Sequence, residues 1–120
     1  MKKKFGLFIL FSTLLVASIS SPSARAQGAP QRIEITAERF TFKPGEITVK
    51  VGQPVTLVLK SVDVGHGLRI REVGVDIKVK AGKTAEAIFT PTNAGNFVGH
   101  CSVFCGSGHG SMVFTLHVVA

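Results

Sequence analysis

Residues 47–60 read ITVKVGQPVTLVLK, and this stretch decides the fold class. Apolar and polar side chains alternate over residues 47–51, a Gly-Gln-Pro turn follows at 52–54, and apolar residues return at positions 55, 57 and 59. A period of two residues is typical of a strand with one face in a core and the other in solvent. The stretch therefore predicts two strands separated by a turn.

The same pattern continues on both sides of this stretch. No window shows the i, i+3, i+4, i+7 spacing of an amphipathic helix. The sequence predicts an all-β fold, a Greek-key sandwich or barrel of seven or eight short strands. The further alternating runs lie at residues 33–36, 40–42, 68–70, 75–79, 85–89, 97–98 and 113–119.

The N-terminus has the pattern of a secretory signal peptide. Residues 2–4 are lysines, residues 5–19 are almost continuously apolar, and Ala-Arg-Ala at 24–26 suits a signal peptidase. We expect export across the cytoplasmic membrane to the periplasm, with residues 1–26 removed; an uncleaved N-terminal membrane anchor is the alternative. We expect a flexible lead at residues 27–31 and one folded domain at residues 32–120.

The charge of the chain argues against a nucleic-acid partner. Removing residues 1–26 takes away Lys2, Lys3, Lys4 and Arg25, and these four cations lower the formal net charge from +7 to +3. The remaining cations are scattered, without a basic run. No nucleophile–base pair is evident, so we expect no small-molecule substrate and no turnover by the chain alone.

Both cysteines, two of the four histidines and one of the two methionines lie in one short stretch, HCSVFCGSGHGSM at residues 100–112. Cys101, Cys105, His109 and Met112 form the motif C-x3-C-x3-H-x2-M, and a Gly-His-Gly turn lies far upstream. A β-sandwich can bring both loops to the same end. Thiolates, a thioether and imidazole together select copper over magnesium, calcium or manganese.

Other readings of these residues remain open. Zinc accepts two Cys and two His, but Met112 is an unusual structural zinc ligand. A Cys101–Cys105 disulfide would close a very short loop and would stabilise the fold little. His66, Cys105, His109 and Met112 would supply one type 1 (blue) copper. Cys101 would then be surplus, whereas two thiolates four residues apart can bridge two copper ions.

The ligand loop and its surroundings resemble the CuA domain of cytochrome c oxidase subunit II. The similarity runs from about residue 47 to the C-terminus and includes SVDVGHGL (61–68), VGVD (73–76), AG (81–82) and the loop at 100–112. This resemblance implies a cupredoxin-like Greek-key β-sandwich. It also implies a dinuclear, mixed-valence copper centre that passes single electrons.

The resemblance assigns the copper ligands to six residues: His66, Cys101, Val103, Cys105, His109 and Met112. The two cysteines would bridge both copper ions. His66 and Met112 would complete one copper, and His109 with the backbone carbonyl of Val103 would complete the other. One type 1 copper is the alternative cofactor.

Residues around the ligands have expected supporting roles. Val103, Phe104 and Val113 are apolar and would limit the access of water. Asp63 either orients the His66 loop through hydrogen bonds or is an ordinary turn residue. Two histidines are expected to lie outside the ligand set: His100 and His117.

The resemblance implies a copper-binding electron carrier whose partners are a c-type cytochrome or a terminal oxidase. The alternatives are a periplasmic copper-delivery protein, which needs exposed ligands, and an accessory subunit of a terminal oxidase. The chain has no Trp and no Tyr, so it lacks the aromatic patch that precedes the first ligand His in the family. Subunit II of the oxidase also has two N-terminal membrane helices, and in this sequence only the signal-like segment stands in their place.

Overall fold

The computed structural model describes Gly6 and residues 30–120. The predicted signal peptide lies outside the described residues apart from Gly6, and so do residues 27–29 of the predicted lead. Strand β1 already begins at Gln31, one residue before the predicted start of the domain. Within the described residues, no helix has the length and apolar character needed to cross a membrane.

The described residues form nine strands in two sheets, so the predicted all-β sandwich is confirmed, with nine strands rather than seven or eight. Two single 3₁₀ turns, Arg71–Val73 and His109–Ser111, interrupt the strands. The strands are β1 (Gln31–Glu38), β2 (Thr41–Lys43), β3 (Glu46–Lys50), β4 (Val55–Ser61), β5 (His66–Ile70), β6 (Val75–Val79), β7 (Thr84–Phe89), β8 (Gly95–His100) and β9 (Val113–Val119).

The two sheets have the strand orders β2-β1-β4-β7 and β3-β9-β8-β5-β6. The alternating stretch at residues 47–60 forms β3 and β4, but these strands belong to different sheets. β4 lies parallel to β1, and β3 lies parallel to β9. The chain therefore crosses between the sheets at the turn over residues 52–54, which is how one alternating stretch supplies strands to both layers.

The topology brings distant loops to one end of the sandwich. β8 ends at His100 and β9 begins at Val113, and these two residues pair across the antiparallel ladder. β5 lies antiparallel to β8, with Arg69 opposite His100. The start of β5 at His66 is thus near the loop that joins β8 to β9.

The core fills the space between the sheets with the inward face of each strand. Phe42 and Phe114 meet edge to face, with ring centroids 6.1 Å apart and an interplanar angle of 80°. Leu57 and Leu59 of β4 are completely buried among them. Three residues of the predicted ligand loop belong to the same apolar cluster: Cys101, Cys105 and Met112.

We predict that Leu57→Ala lowers the free energy of unfolding by about 2–5 kcal/mol, because it leaves a cavity at a fully buried position. Ile88→Ala is the matched control, since Ile88 is 66% exposed and its loss should change stability by at most about 0.5 kcal/mol. Urea denaturation of the metal-free protein measures both values. Equal destabilisation by the two substitutions would contradict this account of the core.

Candidate metal centre

His66 lies at the first position of β5 and is completely buried. Its Nε2 atom lies 2.6 Å from Oδ1 of Asp63. Because an ionised carboxylate only accepts hydrogen bonds, Nε2 carries the proton and Nδ1 keeps a free lone pair. Nδ1 lies 3.8 Å from the Sγ atom of Cys101. His66 therefore presents a ligating nitrogen to the cysteine loop.

The cysteine loop is closed at its base by the ladder of β8 and β9. The backbone N–H of Cys101 donates to the carbonyl of Met112 at 3.1 Å, which extends the pairing of the strands. Cys101, Cys105 and Met112 are each at most 5% exposed. His109 is half-buried in the 3₁₀ turn that precedes Met112. Four of the predicted ligands thus lie in one loop whose two ends are held by the paired strands β8 and β9.

The six predicted ligand residues meet around the two cysteine sulfurs. The two Sγ atoms are 3.7 Å apart. Cys101 Sγ lies 3.1 Å from the carbonyl oxygen of Val103. Cys105 Sγ lies 3.5 Å from Nδ1 of His109 and 3.8 Å from Sδ of Met112. Each sulfur therefore has further donor atoms at its side.

The donor atoms have the spacing that a bound transition metal requires. Sulfur and imidazole ligands bind such ions at about 2.3 Å and about 2.0 Å, so two ligands of one ion lie roughly 3.6–3.8 Å apart. The distances of 3.7–3.8 Å between the two sulfurs and from them to His66 Nδ1 and Met112 Sδ fall in this range. The 3.5 Å from Cys105 Sγ to His109 Nδ1 lies just below it, and the 3.1 Å from Cys101 Sγ to the Val103 carbonyl is shorter. His66, Cys101 and Cys105 alone place their ligand atoms within 4.8 Å of one another. The residues present fit soft, thiolate-binding copper.

Both cysteines are free thiols in the structure. Burial raises the pKa of Cys105 to about 11, and the neighbouring Cys101 acts in the same direction. The guanidinium of Arg39 opposes this shift. Without a metal, Cys105 is therefore a protonated thiol at neutral pH, and metal binding has to displace that proton.

Asp63 orients His66, which is the first of the two roles considered for it. Partial burial would raise the pKa of Asp63, but hydrogen bonds from Arg39 N–H, His66 and Val64 N–H outweigh it and hold the pKa at about 2. The Arg39 N–H donates to Oδ2 at 2.7 Å, and the Val64 N–H donates to Oδ1 at 2.6 Å. Asp63 therefore stays ionised and fixes the tautomer of His66.

The ligand loop fits closely against the turn that carries His66. A Cβ atom at Gly67 would lie 2.1 Å from Oγ of Ser102 and 3.2 Å from a methyl carbon of Val103. The Ser102 N–H donates to the carbonyl of Gly67 at 3.3 Å. Only glycine allows this approach, and it holds the Val103 carbonyl beside Cys101.

A second contact to the ligand loop comes from Phe40, in the turn between β1 and β2. A Cβ atom at Gly108 would lie 2.5 Å from the Phe40 ring, and one at Gly106 would lie 3.0 Å away. Arg39 donates from Nε to the carbonyl of Cys105 at 3.0 Å. Nothing in the sequence pointed to a role for Arg39 and Phe40, because their only signal is the ordinary alternation at the end of a strand.

The apolar screen expected around the loop is partly wrong. Phe104 is 78% exposed and Val113 is 46% exposed, because Phe104 lies at the tip of the loop and Val113 faces outward from β9. Only Val103, which is packed against Gly65 and Gly67, turns inward. Burial in the core, rather than these side chains, keeps water from the cysteines.

The two histidines expected outside the ligand set are not among the clustered donor atoms. His100 is exposed and lines a surface cleft with Arg69, Arg71 and the ligand residue Cys101, so it lies beside the site. His117 bonds through Nδ1 to Asn96 at 2.6 Å and through Nε2 to Glu46 at 2.9 Å, on the outer face of the five-stranded sheet.

Comparison with known proteins agrees with the fold. Residues 7–114 match the family model of the cupredoxin-like domain, and the chain belongs to this family. Cytochrome c oxidase subunit 2 of Thermus thermophilus is 27% identical over 86 residues, which cover 72% of this chain and 64% of the relative. For a second Thermus thermophilus subunit 2 the covered share is 51%, so the chain spans between half and two thirds of these relatives.

Solved structures show the same fold. The periplasmic domain of cytochrome oxidase subunit II from Bradyrhizobium japonicum superposes with a TM-score of 0.69 at 23% identity, over 77% of this chain and 86% of that one. Auracyanin A, a blue copper protein of Chloroflexus aurantiacus, gives a TM-score of 0.62 at 23% identity, over 76% of this chain and all of that one. Together with the two Thermus thermophilus relatives, the shared fold confirms the resemblance to the copper domain of cytochrome c oxidase subunit II.

We predict that Gly108→Ala disturbs the ligand loop, because the new methyl group would collide with the Phe40 ring. The backbone of Gly108 has φ −92°, so the effect is steric and not conformational. We expect a loss of about 1–3 kcal/mol in stability and weaker copper binding, measured by denaturation and by chelator competition. Gly110→Ala is the control, since nothing lies within 4 Å of its Cβ position, and equal losses in both variants would contradict the clash.

We predict that copper affinity rises with pH between about 6 and 8. The pKa of Cys105 is about 11 in the folded metal-free protein, so below that value its thiol is protonated and a proton leaves on binding. Each proton released raises the affinity by about tenfold per pH unit. Competition titrations at several pH values measure the slope, and an affinity independent of pH would contradict thiolate ligation.

Proposed function

We propose that this protein carries single electrons on a dinuclear copper centre. The supporting observation is the pair of buried free thiols 3.7 Å apart, each flanked by its own further donor atoms. A lone type 1 copper would leave Cys101 without a purpose. In the structure Cys101 has neighbours of its own, His66 Nδ1 and the carbonyl of Val103.

The proposed ligand set is the one that the resemblance implies: His66, Cys101, Val103, Cys105, His109 and Met112. Copper bound by these residues supplies one-electron redox chemistry. The resemblance assigns His66 and Met112 to one copper, and His109 and the Val103 carbonyl to the other. Each sulfur has one donor of each pair at its side: His66 and Val103 beside Cys101, and His109 and Met112 beside Cys105. This arrangement supports two ions that share both thiolates.

The protein frame favours electron transfer by holding its ligands still. His66 is fixed by Asp63, the cysteine loop is closed by the Cys101–Met112 hydrogen bond, and Gly67 is in tight contact with Ser102. Ligands that hardly move between oxidation states make electron exchange easier. Their burial also keeps water from the metal and shapes its potential.

Burial argues against the copper-delivery alternative. Delivery requires ligands that a partner can reach, whereas His66 is completely buried and Cys101, Cys105 and Met112 are at most 5% exposed. The accessory-subunit alternative keeps the same centre and differs only in the partner. Co-purification with haem-copper membrane subunits separates it from an independent carrier.

We propose a location outside the cytoplasmic membrane and a c-type cytochrome or a terminal oxidase as redox partner. The signal-like N-terminus and the periplasmic domain of the Bradyrhizobium relative support the location. The Thermus relatives are oxidase subunits, which supports the partner class. Mass spectrometry of the exported protein would test cleavage after Ala26.

The test of this function is the copper content of the loaded protein together with its visible and electron paramagnetic resonance spectra. Two coppers per chain with hyperfine splitting from two equivalent nuclei would support the dinuclear carrier. One copper with a blue colour and splitting from one nucleus would replace it with a type 1 carrier. A colourless protein that quickly yields Cu(I) to a competitor would favour delivery.

We predict that Cys101→Ser lowers the copper content from two ions to one per chain, because one bridging sulfur is lost. The remaining His66, Cys105, His109 and Met112 still provide a mononuclear set. Ser107→Ala is the control, since Ser107 is an exposed residue of the same loop and outside the proposed ligand set. Two coppers and an unchanged spectrum in Cys101→Ser would refute the bridging role.

A further inference from the structure

Arg39 contacts both loops that carry the metal ligands, although no ligand is near it in sequence. Its backbone N–H donates to Oδ2 of Asp63 at 2.7 Å, and the other oxygen of Asp63 holds His66 at 2.6 Å. Its side-chain Nε donates to the carbonyl of Cys105 at 3.0 Å. One residue thus links the His66 loop to the cysteine loop.

The segment around Arg39 is itself held in place on both sides. The Val62 N–H donates to the carbonyl of Ala37 at 3.2 Å, which fastens the His66 loop to the end of β1. The ring of Phe40 lies against Gly106 and Gly108 of the cysteine loop. The Arg39 bonds therefore start from a packed turn and not from a free side chain.

The guanidinium of Arg39 makes a different kind of contact from those of Arg32 and Arg69. Arg32 pairs with Glu86 at 3.2 Å, and Arg69 pairs with Asp76 at 2.8 Å. Among the ion pairs of residues 30–120, none includes the Arg39 guanidinium. Its side chain is instead directed at the backbone of a ligand residue, and the ionised Asp63 is the nearby charge of opposite sign.

We propose that Arg39 is a positioning residue that locks the two ligand loops together and raises the reduction potential of the metal centre. This inference rests on the proposed function. The bonds to Asp63 and Cys105 keep His66 and Cys105 in a fixed relation. The Arg39 cation partly offsets the negative charge of Asp63 and favours the reduced state of the centre, which carries one more electron than the oxidised state.

The test compares Arg39→Gln and Arg39→Lys with the control Arg32→Gln. Arg32 lies at the other end of β1, roughly 20 Å away at the rise of a strand, and its loss changes the net charge by the same amount. Cu(I) affinity is measured by chelator competition, and the reduction potential by redox titration of the copper-loaded protein. Denaturation of the metal-free proteins reports whether each variant folds.

We expect Arg39→Gln to weaken copper binding by about tenfold, as for other residues that orient a metal ligand, and to lower the potential. Arg39→Lys should restore most of the potential, because the charge returns, but not the full affinity, because Lys lacks the Nε bond. Arg32→Gln should match the wild type in both. If Arg39 served folding alone, its substitutions would lower the stability, but Arg39→Lys would not recover the potential while leaving the affinity low.

A metal-free measurement gives an independent reading. The rate at which a small alkylating reagent modifies the cysteines should increase in Arg39→Gln, because the cysteine loop is less firmly held. Wild-type affinity, potential and alkylation rate in Arg39→Gln would overturn the inference while leaving the proposed function intact. If instead the wild-type protein binds no copper, the proposed function fails before the inference is reached. If Arg39→Gln does not fold, Arg39→Lys still tests the inference, because it keeps the positive charge but lacks the Nε hydrogen bond to Cys105.

Discussion

The structure depends on keeping two thiols close together inside an apolar core without joining them. Cys101 and Cys105 share the hydrophobic cluster with Met112. A single hydrogen bond between the backbones of Cys101 and Met112 sets the span of their loop. Everything else at this end of the sandwich maintains that separation: β8 and β9 fix both ends of the loop, and His66 approaches it from β5. The fold is in this sense a support for one sulfur–sulfur distance.

Three segments that are far apart in sequence together fix the distance between the two cysteine sulfurs. The proposed ligands come from two of them, the start of β5 and the loop before β9. The third segment, at Arg39 and Phe40, contributes no ligand but touches both of the others. Such an arrangement resists the small displacements that a change of oxidation state produces. It also explains why Gly106 and Gly108 face an aromatic ring rather than solvent.

The sequence was informative where a local pattern decides the structure. Alternation is set by the geometry of a strand, so the all-β class could be predicted, and the spacing of Cys101, Cys105, His109 and Met112 identified the loop. Non-local packing could not be predicted from the sequence. Nothing near Lys50 indicates that β3 pairs with β9, and nothing near Arg39 indicates its hydrogen bond to Cys105, 66 positions away. The exposure of Phe104 was missed for the same reason, since an apolar side chain at a loop tip reads like a core residue.

Because residues of the proposed ligand set also belong to the hydrophobic core, the stability of the protein would depend on the copper supply of the cell. A metal that binds only the folded chain shifts the folding equilibrium towards it, and a domain of this size has little stability to spare. Copies that have not yet received copper would open more often and expose buried strands to proteases. The steady-state amount of the protein would then follow metal availability, without any dedicated sensor.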